Sequence, residues 1–285
     1  MRVLITGAAG QLGHDCRLVC ERAGDEVAAF DRSSLDVTDR DQVMGALHAF
    51  RPDAVLHCAT WTAVDACEAD PDRAYRTNAL AARWMAEASG RIGAHLVQVS
   101  TDYVFDGAKD TPYHEWDATN PQSVYGASKA AGEREVIEAG IGATVARTSW
   151  LCGQYGPNMV RTILKVAAER PTLSFVHDQR GHPTFTADLA PMLRRLAIDR
   201  RPGVHHVTNA GAVSWFDFAQ AVVFAAGRDP AMVLPCATAD LQPPRPAPRP
   251  VNSVLDNAVL RASGLPLLRD FREPLRELVA ALLKS

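Results

Sequence analysis

The sequence predicts a doubly wound α/β fold, in which helices cover both faces of a parallel sheet, together with a smaller mixed α/β lobe. Up to about residue 150, short β-branched runs alternate with helical patterns of ten or more residues. Strands separated by such helices pair in parallel through right-handed crossovers. Beyond residue 150 the alternation loosens, and a chain of 285 residues is long enough for a second lobe.

The first half contains five predicted strands, separated by helical patterns. The strands are expected at residues 3–5, 26–30, 54–58, 95–100 and 143–147. Helices are expected at residues 14–23, from an N-cap at Thr38 to Pro52, from Pro71 through Glu87, and at residues 123–139. Because this half is regular, we expect residues 1–150 to form the first domain.

The second half contains shorter and less regular elements. Strands are expected at residues 172–176 and 203–207, and helices at residues 158–168, 187–198, 215–226 and 274–283. The stretch LQPPRPAPRP at residues 241–250 has predicted structure on both sides, so we expect an ordered loop rather than a linker. Residues 151–285 are therefore expected to form mainly a smaller lobe, with segments that return to the first domain.

Composition and charge exclude several classes of protein. The formal net charge of −3 lacks the basic excess of a nucleic-acid binder. No apolar run approaches the roughly 20 residues of a membrane span, and the N-terminus lacks the pattern of a secretory signal. The six cysteines are scattered without a CxxC pair, and no HExxH occurs, so reduced thiols and no structural metal are expected. These features favour a cytoplasmic enzyme or binding protein without nucleic-acid or membrane partners.

A glycine-rich segment at residues 7–13, GAAGQLG, follows the first strand and opens a helix. Gly7 would permit a tight turn, Gly10 would let a pyrophosphate approach the backbone, and Gly13 would let the helix pack closely on the sheet. The amide groups at the helix N-terminus would bind phosphate. This context predicts that the first domain binds a dinucleotide. At the tip of the second strand, Asp31 favours NAD and Arg32 favours NADP, so the preference stays open.

Two further motifs supply candidate catalytic groups. Tyr125 and Lys129 of YGASK lie four residues apart, on one face of a predicted helix. A tyrosine needs a nearby cation to act as an acid or base at neutral pH, and Lys129 can provide it. The segment STDY ends the fourth strand, where ligands of open α/β sheets bind, and the hydroxyl of Thr101 would lie near a reacting carbonyl.

Taken together, these motifs resemble the extended short-chain dehydrogenase/reductase superfamily, whose fold has a Rossmann-type sheet. Within it, the chain is similar to the dTDP-4-dehydrorhamnose reductase family along nearly its whole length. The segments that carry this similarity are HCATWTAVDACE (57–68), STDYVFDG (100–107), NPQSVYGASKAAGE (120–133), RTSWLCG (147–153), DQRGHPT (178–184) and RPAPRP (245–250). The resemblance implies an NAD(P)H-dependent reductase of a dTDP-4-keto-6-deoxy sugar, with dTDP-4-dehydrorhamnose as the default substrate.

The resemblance also implies roles for individual residues. It makes Thr101, Tyr125 and Lys129 the catalytic set. It assigns NADP(H) or NAD(H) to the glycine motif including Gln11 and Leu12, to Asp36 and Val37 beside the adenine, to Ala59, Thr60 and Thr62 along the cofactor channel, and to Tyr125 and Lys129. It assigns the sugar to Val64, Thr101, Asp102, Tyr103 and Trp150. Arg245 and Arg249 in the proline-rich loop are predicted to bind the substrate phosphates.

Some members of the family form a magnesium-linked dimer through acidic residues. This sequence offers Asp15 and, near the second position, only Asp188. We therefore predict neither a magnesium site nor this dimer, and we favour a monomer over a homodimer.

Two alternatives remain beside the reductase. Sugar-nucleotide dehydratases carry Thr-Asp-Glu at the third motif, and the absence of that glutamate after Asp102 argues against dehydration. The regulatory subunit of methionine adenosyltransferase is similar in sequence and keeps much of the nucleotide site without catalysing reduction. The substrate-side residues favour the enzyme, and consumption of NADPH with a 4-keto sugar nucleotide would distinguish the two.

Overall fold

The computed structural model describes residues 1–284. Its first half contains the elements β1 (Arg2–Thr6), α1 (Gln11–Arg22), β2 (Glu26–Phe30), α2 (Arg40–Phe50), β3 (Ala54–His57), α3 (Val64–Ala69), α4 (Pro71–Tyr75), a π-helical turn (Arg76–Leu80), α5 (Ala81–Ile92), β4 (His95–Thr101), a 3₁₀ turn (Asp102–Val104), α6 (Val124–Glu138) and β5 (Thr144–Thr148). The five predicted strands and four predicted helical segments occur in the predicted order, whereas α3 and the 3₁₀ turn at Asp102–Val104 were not predicted.

The second half is built from shorter strands and four main helices. Its elements are β6 (Leu151–Cys152), α7 (Met159–Glu169), β7 (Leu173–Val176), β8 (Arg180–Gly181), β9 (Thr184–Phe185), α8 (Thr186–Ile198), β10 (Gly203–His206), β11 (Val213–Ser214), α9 (Trp215–Ala225), a 3₁₀ turn (Pro230–Met232), β12 (Val233–Cys236), a 3₁₀ turn (Thr238–Asp240), α10 (Ala258–Ala262) and α11 (Arg272–Leu282).

The central sheet has six parallel strands in the order β10-β5-β4-β3-β1-β2. Chain order reverses at β1, since β2 lies on one side of it and β3 to β5 extend on the other. Such a reversal opens a crevice at the carboxyl ends of the strands, where ligands bind. Val3, Leu4 and Ile5 are fully buried because helices cover both faces of the sheet. The structure confirms the doubly wound α/β fold.

Helices from both halves of the chain cover this sheet. On one face, α1 and α8 bury Cys16, Leu189 and Leu193 against β1 and its neighbours. On the other face, α2, α5 and α6 surround a cluster that includes Leu47 and Met85. The segments α8 and β10, which lie beyond residue 150, thus complete the layers of the first half. The division of the chain at residue 150 stays a prediction.

The remaining C-terminal segments form a separate apolar cluster. Helices α7, α9 and α11 pack around Ile163, Phe218 and Phe271, which are fully buried. Beside them, β7 and β12 pair in parallel. The proline-rich loop at residues 241–250 returns from this lobe toward α3, where the Ala247 amide donates a hydrogen bond to Asp65. The loop is therefore held by both parts of the molecule.

The structure corrects the predicted starts of two helices. Helix α1 begins at Gln11 rather than at residue 14, directly after the glycines. The N-cap of α2 is Asp39 and not Thr38, because the Asp39 carboxylate accepts hydrogen bonds from the amides of Asp41 and Gln42. The Thr38 hydroxyl instead donates to Asp36.

The helix predicted from Pro71 through Glu87 is interrupted and longer than expected. Helix α4 passes through the π-helical turn at Arg76–Leu80 into α5, which ends at Ile92, beyond the predicted end. Hydrophobic periodicity does not reveal a π turn, since the turn inserts only one extra residue into a helical pattern.

Candidate active site

The glycine segment forms one wall of a cavity of about 640 Å³, here called the cofactor cavity. Gly7 has a φ of +68°, and a Cβ atom on Gly13 would lie 2.2 Å from the Gly7 carbonyl oxygen. Gly10 is the N-cap of α1 and supplies no side-chain cap, and no acidic residue occupies the first turn. These features fit a dinucleotide phosphate, because the free amide groups and the helix dipole favour an anion.

Eight of the predicted cofactor residues border the cofactor cavity. They are Gly7, Gly10, Asp31, Arg32, Asp36, Val37, Ala59 and Thr60. Ala9 of the glycine segment also borders it, as do seven residues that were not predicted to bind the cofactor: Leu35, Thr38, Cys58, Trp61, Arg73, Arg76 and Thr77. The last three come from α4 and the π-helical turn, which no motif marks.

Six predicted cofactor residues do not border the cavity, among them Tyr125 and Lys129, which lie together on α6. Leu12 and Gly13 are buried in the packing of α1, and Thr62 is exposed. The Gln11 amide accepts a hydrogen bond from the Gly153 amide and donates one to the Pro157 carbonyl. Gln11 thus joins the glycine segment to the chain that follows β6.

Asp31 and Arg32 present different groups to the cofactor cavity. One carboxylate oxygen of Asp31 accepts four hydrogen bonds, from the amides and hydroxyls of Ser33 and Ser34. These bonds lower the pKa of the Asp31 carboxyl. Arg32 is exposed at the cavity, and within residues 1–284 its guanidinium has no ion-pair partner.

The three predicted catalytic residues lie together at the carboxyl end of β4. Tyr125 is buried in the first turn of α6, and the side chain of Thr101 lies beside its phenol. Burial, together with the nearby Asp102 carboxylate, raises the pKa of Tyr125 above its ordinary value. Lys129 lies one helical turn further on, and its ammonium donates to the Val99 carbonyl oxygen at 2.6 Å.

The charge of Lys129 is held in a buried environment. Burial lowers the pKa of Lys129 to about 8, although the carboxylate of Glu133 opposes this effect. Lys129 is therefore mainly protonated at neutral pH. Burial of His57 at the end of β3, with a smaller contribution from the Lys129 charge, lowers its pKa to about 3. His57 is neutral at neutral pH, and its ring Nδ1 forms a hydrogen bond with the Thr6 hydroxyl at 2.6 Å.

The substrate-side residues Asp102 and Tyr103 follow directly on Thr101. The Thr101 hydroxyl donates to one Asp102 carboxylate oxygen at 3.0 Å and accepts from the Tyr103 amide at 3.2 Å. Burial raises the pKa of Asp102 to about 6 and that of Tyr103 to about 12. The Tyr103 ring meets the Tyr125 ring edge to face, with their centroids 5.5 Å apart. Val64 packs in the same cluster.

Trp150 lies at the junction between the sheet and the second lobe. Its φ of +45° is unusual for a residue other than glycine, and its ring stacks on Trp215 with centroids 3.7 Å apart. A Cβ atom on Gly181 would lie 2.7 Å from the indole of Trp150. The second lobe therefore fixes the direction of this side chain.

The two predicted phosphate-binding arginines differ in their contacts. Arg249 is half-buried and forms a bidentate pair with Asp65, with distances of 2.5 and 2.8 Å. Arg245 is 59% exposed and lies 3.7 Å from the same carboxylate. Asp65, which sequence reasoning missed, thus ties the proline-rich loop to α3 and engages the arginine that was expected to bind phosphate.

Asn78 is a further residue that sequence reasoning missed. Its side-chain oxygen accepts from the Trp61 amide and the Thr60 hydroxyl, and its amide donates to Ser128 on α6. It therefore connects the cofactor cavity to the helix that carries Tyr125. The π-helical turn around it is the structural signal, since such turns occur frequently at functional sites.

Acidic residues near the expected magnesium positions are engaged by other side chains. Asp15 accepts a hydrogen bond from the Thr186 hydroxyl, and Asp188 pairs with Asn209 and Arg269. Among the described residues, no group of three or more His, Cys, Asp or Glu side chains is arranged to bind a metal ion. Within the same residues, every helix is too short or too polar to cross a bilayer.

Comparisons with known proteins extend along the whole chain. A protein of Streptomyces antibioticus, described as a probable dTDP-4,6-dihydroxy-2-methyloxan-3-one 4-ketoreductase, is 46% identical over 97% of this chain and 94% of its own length. A dTDP-4-dehydrorhamnose reductase of Streptomyces griseus is 42% identical over 99% of this chain and 94% of its own.

Solved structures agree with the sequence relatives. The crystal structure of a dTDP-4-dehydrorhamnose reductase from Clostridium acetobutylicum superimposes with a TM-score of 0.95 and 39% identity, covering all of both chains. The Bacillus anthracis dTDP-4-dehydrorhamnose reductase, solved in complex with NADP, has a TM-score of 0.94 and 38% identity over 100% of this chain and 99% of that one. The sequence model of the RmlD substrate-binding domain matches residues 1–284, and the chain belongs to this family of dTDP-4-dehydrorhamnose reductases.

Proposed function

We propose that this chain reduces the C4 ketone of a dTDP-4-keto-6-deoxy sugar with NADPH or NADH, and that dTDP-4-dehydrorhamnose is its substrate. The observation that carries the proposal is the position of Tyr125. Its buried phenol lies beside Thr101 and one helical turn from Lys129, at the sheet edge that also holds the cofactor cavity. The names and similarity of the relatives support the same reaction.

The bound nicotinamide would supply hydride to the carbonyl carbon. Negative charge then develops on the carbonyl oxygen, and a positioned proton donor must stabilise it in the transition state. The raised pKa of Tyr125 keeps its phenol protonated at neutral pH, so it holds the required proton. The proton passes from the Tyr125 oxygen to the substrate oxygen as the alkoxide forms.

Lys129 and Thr101 stabilise the phenolate that Tyr125 becomes. The Thr101 side chain lies beside the phenol, and Lys129 follows Tyr125 one helical turn further along α6. Lys129 would also bind the nicotinamide ribose. These groups lower the cost of charge on the phenol oxygen without titrating themselves at neutral pH.

The substrate side favours reduction over dehydration. Tyr103 occupies the position after Asp102, where a dehydratase carries glutamate, and its phenol is neutral because burial raises its pKa to about 12. Val64 and Tyr103 pack against Tyr125, while Trp150 and the exposed guanidinium of Arg245 extend the site toward the second lobe. We assign the sugar to Val64, Tyr103 and Trp150, and a substrate phosphate to Arg245. We also propose a cytoplasmic monomer.

Incubation of the purified protein with dTDP-4-dehydrorhamnose and NADPH, and separately with NADH, tests this proposal. We expect stoichiometric cofactor oxidation and formation of a dTDP-6-deoxyhexose, detected by mass spectrometry as a gain of two hydrogens. Binding of NADPH without oxidation at any substrate concentration would instead identify the chain as a nucleotide-binding regulatory protein.

A further inference from the structure

A buried ion pair lies directly behind the proposed catalytic residues. Glu133 on α6 and Arg147 on β5 form a bidentate pair, with distances of 2.9 and 2.7 Å, and both side chains are 95% or more buried. The Ser100 hydroxyl donates to the same carboxylate. Transferring a charged group from water to the protein interior costs free energy. A buried ion pair therefore calls for an explanation beyond general stability.

The geometry shows a repeated connection between α6 and β4. Tyr125, Lys129 and Glu133 follow one another at intervals of four residues, which places them along one face of the helix. Each of them contacts a different residue at the end of β4. Tyr125 meets the Thr101 hydroxyl, Lys129 donates to the Val99 carbonyl, and Glu133 accepts from the Ser100 hydroxyl.

We propose that Glu133 is a positioning residue, which keeps the Lys129 ammonium charged and aligned on β4 while Arg147 and Ser100 fix its carboxylate. This inference rests on the proposed function, because Lys129 matters only if Tyr125 acts as the proton donor. Glu133 does not need to touch substrate or cofactor. It acts through Lys129, one helical turn closer to the site.

The other ionisable groups near Lys129 do little to favour its protonated form. Those on or beside the elements that pack against this part of α6 include His57, Cys58, Cys67, Glu68, Asp102, Tyr103 and Arg147. His57 is neutral, because burial and Lys129 itself lower its pKa. Burial keeps the Cys67 thiol protonated by raising its pKa to about 11. The Glu133 carboxylate is the principal group that favours the charged form of Lys129, ahead of Cys58.

The Glu133→Gln variant tests the proposal by direct titration. The chain has only four lysines, at positions 109, 129, 165 and 284, so ¹³C-lysine labelling gives few signals, and Lys129→Arg identifies the one that matters. We expect the midpoint of Lys129 to fall by about one pH unit in Glu133→Gln, since loss of a nearby opposite charge disfavours the ammonium. An unchanged or raised midpoint would overturn the proposal.

Asp25→Asn is a matched control, because Asp25 is also a buried carboxylate in an arginine pair, with Arg194 on the far side of the sheet. It should lower thermal stability without moving the Lys129 midpoint. Should Glu133→Gln not fold, the double variant Glu133→Gln/Arg147→Met removes both charges and is expected to be tolerated. The matched reference for the double variant is Arg147→Met alone, since both lack the arginine and differ only in the Glu133 carboxylate. Equal Lys129 midpoints in these two variants would contradict the proposal.

The pH dependence of kcat/KM gives a second readout. The alkaline limb, where Lys129 loses its proton, should move to lower pH in Glu133→Gln by the same amount as the titration midpoint. A uniform loss of activity without this shift would show a purely structural role for Glu133. If the parent does not oxidise NADPH, the proposed function fails, while the titration of Lys129 still decides whether Glu133 controls its charge.

Discussion

The two sides of the active-site cleft are held together over very different distances along the chain. On the cofactor side, Asp31 is bound by Ser33 and Ser34, two and three residues away. On the substrate side, Asp65 is bound by Arg249, which lies 184 residues away. Local sequence therefore specifies the cofactor side, whereas the substrate side forms only when the two halves of the chain pack together.

This difference teaches where substitutions should have separable effects. A change on the cofactor side should alter one ligand and leave the rest of the molecule intact. A change on the substrate side should alter both ligand binding and the packing of the proline-rich loop. Tyr125 lies between the two sides, packed against Val64 and Tyr103 and one turn from Lys129.

Tyr125→Phe should have the largest effect on catalysis, because it removes the proton donor that serves both sides. General acid catalysis contributes about 10²–10⁴-fold, so kcat should fall by about that factor. The affinity for NADPH should stay close to that of the parent, since the ring is kept. Steady-state kinetics and fluorescence titration of NADPH measure the two quantities. A kcat within twofold of the parent would contradict the role of Tyr125.

The same contrast explains how much of the site the sequence predicts. The glycine segment, Asp31 and the YxxxK pair are short local patterns whose geometry follows from one turn or one helix. The pairing of Arg249 with Asp65 does not follow from such patterns, because the two residues lie in segments far apart in the chain and their contact depends on tertiary packing. Asn78 escapes prediction for a related reason, since its position depends on a π-helical turn.

The fold shows the same limit. All five strands of the first half are predicted near their observed places, because buried parallel strands are short and strongly apolar. That β10 joins the edge of the first sheet, beside β5, does not follow from its own sequence. β10 pairs with β5 because α8 packs across the sheet and brings the chain back to that edge. This pairing depends on tertiary packing.

Gly10→Val should affect the cofactor side alone, with the next largest effect. A Cβ atom at Gly10 would already lie 3.2 Å from the Gly7 carbonyl oxygen, so the added side chain would occupy space at the phosphate site. Misplacing a bound group by about 1 Å can lower the rate of an enzyme roughly 10²-fold. We expect the affinity for NADPH to weaken by about the same factor. Isothermal titration measures the affinity, and circular dichroism verifies that the variant folds. Unchanged affinity in a folded variant would exclude the glycine segment as the phosphate site.

Arg32→Ala should sharpen the comparison by changing the choice of cofactor. The Asp31 carboxylate is engaged by Ser33 and Ser34, while Arg32 is exposed at the cavity and available to a 2′-phosphate. A charge-assisted hydrogen bond supports a change of about tenfold, so the ratio of kcat/KM for NADPH to that for NADH should fall by about this factor. The matched control is Arg76→Ala, because Arg76 is another arginine that borders the cavity. Equal decreases of kcat/KM for NADPH and NADH in Arg32→Ala would show that Arg32 does not bind the 2′-phosphate.

The smallest effects, and the most informative about the substrate side, should come from the two loop arginines. Arg245 is 59% exposed and its distance to Asp65 is 3.7 Å, so it can leave this carboxylate for a substrate phosphate at little cost. Arg249 would have to break two short bonds to Asp65 first. We therefore expect Arg245→Ala to raise the substrate KM by about three- to fivefold, as for one partly exposed ionic contact.

Arg249→Ala should behave differently, because it releases the proline-rich loop from α3. We expect a lower melting temperature, by about 2–4 °C, since loss of the pair costs on the order of 1 kcal/mol. Asp65→Asn should reproduce this loss of stability while leaving both arginines in place. Arg245→Ala should therefore raise the substrate KM without changing the melting temperature. Asp65→Asn should mainly lower the melting temperature. Should Arg249→Ala raise KM more than Arg245→Ala does at unchanged stability, Arg249 would be the phosphate ligand, and Asp65 would be the group that the substrate displaces.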